Sequence, residues 1–103
     1  NGDGQLLEPF FFEKAALANW EQSRNSAKAG IALQQAVLSN AQAQAARANA
    51  DFARAEQLVG DGSLSVREQD AQRAARAQAL AAVAQARANV DIASQQAQSV
   101  AVN

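Results

Sequence analysis

The side chains of this chain that could perform chemistry include two neighbouring serines and a set of scattered carboxylates. Ser63 and Ser65 would act as nucleophiles only beside a general base, and the 103 residues contain no His and no Cys. The carboxylates nearest to them are Asp51, Glu56, Asp61, Glu68 and Asp70. These carboxylates lie among arginines, which favours solvated ion pairs over acid–base catalysis. We therefore expect no enzymatic activity and no catalytic residue.

The same inventory predicts that the chain holds no metal and no cofactor. Zinc and copper sites in proteins draw mainly on His and Cys, which are both missing. The glycine-containing segment Gly60–Ser63 is short, and it lacks both the Lys of a phosphate-binding loop and the acidic ladder of a calcium loop.

Charge and hydropathy limit the possible partners. The net charge is −1 and charged residues make up 18% of the chain, so no basic field is available to attract a nucleic acid. No apolar stretch has the length of a membrane-spanning helix. The absence of cysteine does not decide the compartment, because an oxidising environment permits disulfides without requiring them.

Breaker residues divide the chain into two helix-forming stretches. The chain contains 28 Ala and 14 Gln, and its only proline is Pro9. We predict a helix over 10–58, a tip turn over 59–64 and a second helix over 65–100. Pro9 is well placed at the start of the first helix, where proline is tolerated. Residues 1–9 are expected to be extended, and residues 101–103 to form a short tail.

The turn signals predict how the two helices are joined. Gly60 is expected to take the left-handed conformation that closes a helix C-terminus. Ser65 and Glu68 have the spacing of a capping box, in which each side chain accepts a hydrogen bond from the other residue's backbone N–H. Because the connection is short, the helices should lie antiparallel. The predicted fold is an all-α, two-helix antiparallel coiled-coil hairpin.

Alternating steps of three and four residues trace a predicted seam along each helix. In the first helix the seam contains Leu17, Trp20, Arg24, Ala27, Ile31, Gln34, Leu38, Ala41, Ala45, Ala48, Phe52, Ala55 and Val59. In the second helix it contains Ala71, Ala75, Ala79, Ala82, Ala86, Val90, Ala93, Ala97 and Val100, with Gln72 and Arg76 outside it. Small seam residues permit close helix approach but bury little apolar area.

The first predicted helix is longer than the second, which leaves its beginning without a partner in the hairpin. In simple register the unpaired segment is Phe10–Asn25, which holds Phe10, Phe11, Phe12, Leu17 and Trp20. We expect this aromatic segment to be buried against another chain, a missing segment or the continuation of this chain, because exposed apolar patches usually mark interfaces.

The segment 53–70 resembles the hairpin tip of the periplasmic adaptor proteins, which are also called membrane fusion proteins. In that family an Arg, a Leu four residues later and a Ser seven residues beyond it form the tip motif. Arg54, Leu58 and Ser65 match this spacing, and Glu68 and Asp70 match the positions that follow the Ser.

The resemblance extends along most of the chain, over residues 11–98. Phe12–Ala15 and Val90–Gln96 are similar to the long-hairpin branch of the family, which includes EmrA-like and haemolysin-secretion adaptors. Residues 1–9 resemble a remnant of a lipoyl-like region.

What the resemblance implies is a hairpin that docks by its tip on a TolC-like outer-membrane channel. Arg54 would hydrogen-bond polar groups at the helical tips of the channel, Leu58 would fill an apolar notch, and Ser65 would lie at the contact. The adaptor would link the channel to an inner-membrane transporter in multidrug efflux or type I secretion. Several copies would form a ring in the periplasm of a Gram-negative cell, and the parent protein would be anchored in the inner membrane.

The residues themselves leave alternatives open. Ser65 is also explained as an N-cap, Leu58 as the last seam residue and Arg54 as an ordinary surface residue. A structural coiled coil that acts through an oligomer seam is a second functional hypothesis. A helix pair on a lipid surface is a third, although its polar faces would carry Gln and mixed charge where interfacial helices prefer Lys and Arg.

Overall fold

The chain folds as two long helices joined by a tight turn. The computed structural model describes the backbone of residues 2–102 and the side chains of residues 13–100. Helix α1 spans Gly2–Gly60 and helix α2 spans Val66–Val102, with no strand in the described backbone. The predicted all-α hairpin is confirmed.

The helix bounds differ from the prediction at both ends of each helix. The expected extended segment is wrong for residues 2–9, which continue α1 through Pro9. Proline in a helix interior removes one backbone donor and costs about 3 kcal/mol, which is why the prediction began the helix at Pro9. Helix α1 ends at Gly60 instead of 58, and α2 spans Val66–Val102 instead of 65–100.

The hairpin is a thin rod whose length is set by α1. Its principal extents are 91 × 14 × 14 Å, and a 59-residue helix is about 88 Å long at about 1.5 Å per residue. The radius of gyration is 25.0 Å, whereas a compact chain of this length would have about 13 Å. Residues 13–100 therefore form one line of contact between two helices, without a globular core.

The predicted seam of α1 is largely confirmed. Its members from Trp20 to Val59 are partly or fully buried, with the exception of Arg24. Leu17 is exposed, so its predicted place in the seam is wrong. The buried side chains of the described residues are all alanines: Ala45, Ala55 and Ala86.

The seam of α2 follows a different track near the tip from the predicted one. Ala71, Ala75 and Ala82 are exposed, while Gln72 and Arg76 are half-buried against α1. The prediction failed here because alanine occurs on every face of this helix and does not mark the buried face. Long polar side chains can lie along a helix interface by burying their aliphatic stems.

Trp20 contacts the far end of α2, so the prediction that all of 10–25 lacks an intrachain partner is wrong. Its indole Nε1 donates to the Val100 carbonyl over 3.1 Å, and the Arg24 guanidinium lies 5.1 Å from the ring centroid. Residues 13–19 are exposed on the overhanging part of α1. The predicted burial of Phe10, Phe11 and Phe12 lies outside the described side chains.

The end of α1 is closed by a Schellman motif centred on Gly62. The Ser63 N–H donates to the Leu58 carbonyl over 2.8 Å, and the Gly62 N–H donates to the Val59 carbonyl over 3.0 Å. Gly62 has a φ of 80°, whereas Gly60 is the last helical residue. The left-handed glycine was therefore predicted two residues too early.

Substitution of the two turn glycines should have opposite effects on stability. Gly62→Ala should lower the free energy of unfolding by about 1–2 kcal/mol, because an L-residue is strained at positive φ. Gly60→Ala should raise it by up to about 1 kcal/mol, because Gly60 is helical and an added Cβ meets nothing within 4 Å. Urea denaturation followed by circular dichroism measures both changes, and equal effects would contradict the assigned turn.

Candidate functional site

The three residues predicted to form a docking site lie at the closed end of the rod. Arg54 and Leu58 are one turn apart near the end of α1, and Ser65 is the residue immediately before α2. The turn of residues 61–65 joins the end of α1 to the start of α2, between Leu58 and the second helix.

Arg54 projects an exposed cationic group from the last turns of α1. Its side chain is 69% exposed, and its Nη1 lies 3.5 Å from Asp51 Oδ1. This exposed i,i+3 pair contributes little to folding, of the order of a few tenths of a kcal/mol. A guanidinium carries five N–H donors, so the contact with Asp51 leaves most of its hydrogen-bonding capacity for a partner.

Leu58 contributes to the turn through its backbone and to the surface through its side chain. Its side chain is half-buried, and its carbonyl accepts hydrogen bonds from the N–H groups of both Ser63 and Leu64. The backbone of Leu58 therefore belongs to the turn structure, while its side chain contributes to a surface depression. This arrangement is compatible with a folding role and a recognition role together.

A shallow open depression joins Arg54 and Leu58 to residues that sequence analysis had not selected. It has a volume of about 330 Å³ and is lined by Asp51, Arg54, Ala55, Leu58, Leu64 and Gln72. Ser65 is not among the lining residues. Leu64 is the only large apolar residue in a turn of small and polar residues, and that contrast was a signal of a surface role. Gln72 could be found only once the true seam of α2 was known.

Ser65 forms the predicted N-cap of α2. Its Oγ accepts a hydrogen bond from the Glu68 N–H over 3.2 Å. The predicted capping box has a second hydrogen bond, from the Ser65 N–H to the Glu68 carboxylate. That bond is not formed between these two described residues. The Ser65 side chain is exposed, so its hydroxyl hydrogen remains available to a partner.

Two of the carboxylates near the tip form the solvated ion pairs that the sequence predicts. Asp51 pairs with Arg54, and Asp70 pairs with Arg73 over 3.0 Å, both as exposed i,i+3 pairs. Among the described residues, no group of three or more carboxylate, His or Cys side chains is arranged to hold a metal ion. The expectations that the chain is not an enzyme and does not bind nucleic acid stay predictions.

A second surface feature, the shaft groove, runs along one flank of the rod. It has a volume of about 360 Å³ and is lined by Val37, Asn40, Ala41, Gln44, Ala82, Gln85, Ala86 and Asn89. None of these residues is charged, and residues 29–46 of α1 contain no charged side chain. Leu33 and Val37 are 61% and 45% exposed beside one another on α1.

Comparison with known proteins adds no relative. The sequence matches no protein-family model, and searches of curated proteins and of solved structures give no significant match. Over residues 2–102, neither helix offers a stretch that is both long and apolar enough to cross a membrane.

Two variants of Ser65 test its capping role. Ser65→Ala removes the acceptor for the Glu68 N–H and should lower the free energy of unfolding by about 1 kcal/mol. Ser65→Asp keeps a capping acceptor and adds a favourable negative charge at the helix N-terminus, so its stability should match that of the parent. Urea melts of both variants test this, and an unchanged Ser65→Ala midpoint would contradict the capping role.

Proposed function

We propose that this chain is the hairpin domain of a periplasmic adaptor, which docks by its tip on a TolC-like outer-membrane channel. In this proposal the adaptor links the channel to an inner-membrane transporter of a tripartite efflux pump or a type I secretion system. The observation that carries the proposal is the Arg-Leu-Ser spacing of the family motif, whose three residues lie together at the closed end of the rod.

The chemistry of the tip is suited to a protein partner that has polar groups around an apolar notch. The Arg54 guanidinium is exposed and can donate to carbonyl or carboxylate oxygens in two directions. Leu58 and Leu64 supply apolar contact area in the depression beside it. Arginine is enriched among the few residues that dominate binding energy at interfaces.

The dimensions of the rod support the same proposal. An adaptor that bridges two membranes has to hold its docking site away from its membrane-proximal part, and this rod is 91 Å long. A turn of five residues at its end presents a small contact area. We propose that several copies act together in a ring, because a single tip offers few anchor residues and multivalent docking raises the overall affinity.

The compartment follows from the proposed partners. The hairpin would lie in the periplasm of a Gram-negative cell, and the parent protein would be held at the inner membrane beside its transporter. The exported substrate and the class of transporter depend on proteins other than this chain.

Reversing the charge of Arg54 tests the proposed contact. In the full-length adaptor, Arg54→Asp should reduce co-purification with the outer-membrane channel more than tenfold, because it replaces the donors with acceptors at the contact. Arg47→Asp makes the same charge change at an exposed position of α1 two turns away and should leave docking intact.

Circular dichroism of both variants should show the helix content of the parent. A folded Arg54→Asp variant that still co-purifies with the channel would remove Arg54 from the docking site. An equal loss of docking in Arg47→Asp would indicate a general electrostatic effect instead of a specific contact.

A structural coiled coil is the second candidate function, and the exposed area of the rod favours it. The chain exposes 7794 Å², whereas a compact monomer of 10.8 kDa exposes about 5,500 Å². The difference is about 2,300 Å², which exceeds the area of about 800 Å² that each partner buries in a standard protein–protein interface. In this alternative, copies of the chain associate through the shaft groove and the exposed Leu33 and Val37 beside it, and the tip has no partner.

Sedimentation equilibrium distinguishes this alternative. If the shaft groove joins copies of the chain, Leu33→Glu should convert an oligomer to a monomer, because it places a charge in an uncharged apolar contact. Ala43→Glu makes a similar change on an exposed position of the same helix and should leave the oligomer intact. A parent chain that is monomeric at high concentration would contradict the alternative.

A further inference from the structure

The middle of the α2 seam repeats itself, so it discriminates little between two axial registers of α2 along α1. Five consecutive seam positions of α2 repeat with a period of seven residues: Ala79, Val83, Ala86, Val90 and Ala93. A shift of seven residues therefore brings Ala onto the place of Ala and Val onto the place of Val. The opposite seam of α1, which includes Ile31, Gln34 and Leu38 besides Ala41 and Ala45, therefore meets the same residue types of α2 in either register. Coiled coils with such uniform seams depend on a few distinctive residues to specify one register.

One group of side chains near the tip is distinctive. The Phe52 cluster consists of Asn49 and Phe52 from α1 with Arg73 and Arg76 from α2. The two guanidinium carbons lie 5.7 Å and 5.3 Å from the centroid of the Phe52 ring, and Arg76 Nε donates to Asn49 Oδ1 over 2.6 Å. Arg73 is oriented by its hydrogen bond to Asp70 Oδ1 over 3.0 Å.

These contacts can form in only one register. If α2 shifts by seven residues in one direction, Leu80 and Val83 take the places of the two arginines. If it shifts in the other direction, Val66 and Gln69 take those places. Neither pair contains a cation for the face of the Phe52 ring. The cross-helix hydrogen bond that Trp20 donates is accepted by a backbone carbonyl. Every residue has such a carbonyl, so this bond discriminates less between registers.

We propose that the Phe52 cluster sets the axial register of the hairpin, with Phe52, Arg76 and Asn49 as its positioning residues. A shift of seven residues would rebuild the turn of 61–65 from residues that are now helical. It would also change which residues stand at the closed end of the rod. The register can be measured in this chain alone, whereas its consequence for docking by Arg54 and Leu58 rests on the proposed function.

The register is measurable because the chain contains no cysteine. Ala29→Cys and Ala77→Cys place two spin labels on exposed positions of α1 and α2. A shift of seven residues changes their axial separation by about 10.5 Å at about 1.5 Å per residue. Pulsed electron–electron double resonance resolves such a change, and the parent chain should show one narrow distance distribution.

Loss of the cluster should produce a second distance population. Phe52→Leu keeps apolar bulk but removes the ring face, and Arg76→Gln keeps a long polar side chain but removes the cation. The double variant should show a second population separated by most of the 10.5 Å shift. Arg76→Lys, which keeps a cation and an N–H donor, should retain the single distance, as should Arg87→Gln, which removes an exposed arginine of α2 outside the cluster.

A merely stabilising role gives a different result. A double variant with one unchanged distance would overturn the proposal, whether or not its melting temperature falls. Circular dichroism is recorded on the same samples, and if the double variant loses helix content the two single variants decide by the same criterion. A second population in Arg87→Gln would also overturn the proposal, because register would then depend on charge in general.

Discussion

The whole structure depends on one narrow line of contact between two alanine-rich helices. Alanine lets the helix axes approach closely, but each alanine removes little apolar surface from water. The buried side chains of the described residues are three alanines in the half of the rod nearer the turn. Over residues 13–100, such a contact makes a long and slender molecule without a globular core. It also leaves specificity to the seam side chains that are not alanine. Trp20 lies at one end, Ile31, Gln34 and Leu38 lie along the middle, and Phe52 lies near the turn.

The turn converts this uniform rod into a molecule with one distinctive end. Gly62 supplies the left-handed conformation that lets the chain leave α1, and Ser65 caps α2. The Leu58 carbonyl accepts the bonds that close the turn, which places the Leu58 side chain beside Arg54 and Leu64. Leu58 and Ser65 therefore belong both to the turn and to the candidate site, whereas Arg54 belongs to the candidate site alone. For this reason, variants that keep each backbone role are needed to separate folding from recognition.

Much of the fold was predictable because breaker residues are few in this sequence. The two helices, the turn between them and most of the α1 seam followed from propensity and periodicity. The α2 seam near the tip did not, since alanines on every face do not mark the buried face, and Gln72 and Arg76 were predicted to lie outside the seam. The left-handed position fell on Gly62 instead of Gly60 because both glycines suit a helix end, and only the hydrogen bonds distinguish them. Arg54, Leu58 and Ser65 were placed at the tip by spacing, whereas Leu64 and Gln72 required the structure.

Docking through the tip is the central claim, and site-specific photocrosslinking in Gram-negative cells tests it most directly. A crosslinking residue at Gln57 or Ser63, both exposed beside the turn, would be compared with one at Gln85 in the shaft groove, in the full-length protein. The account predicts that the tip positions capture an outer-membrane channel and that Gln85 does not. If the tip positions capture nothing while Gln85 captures further copies of the same protein, tip docking is contradicted and the structural coiled coil is the better description.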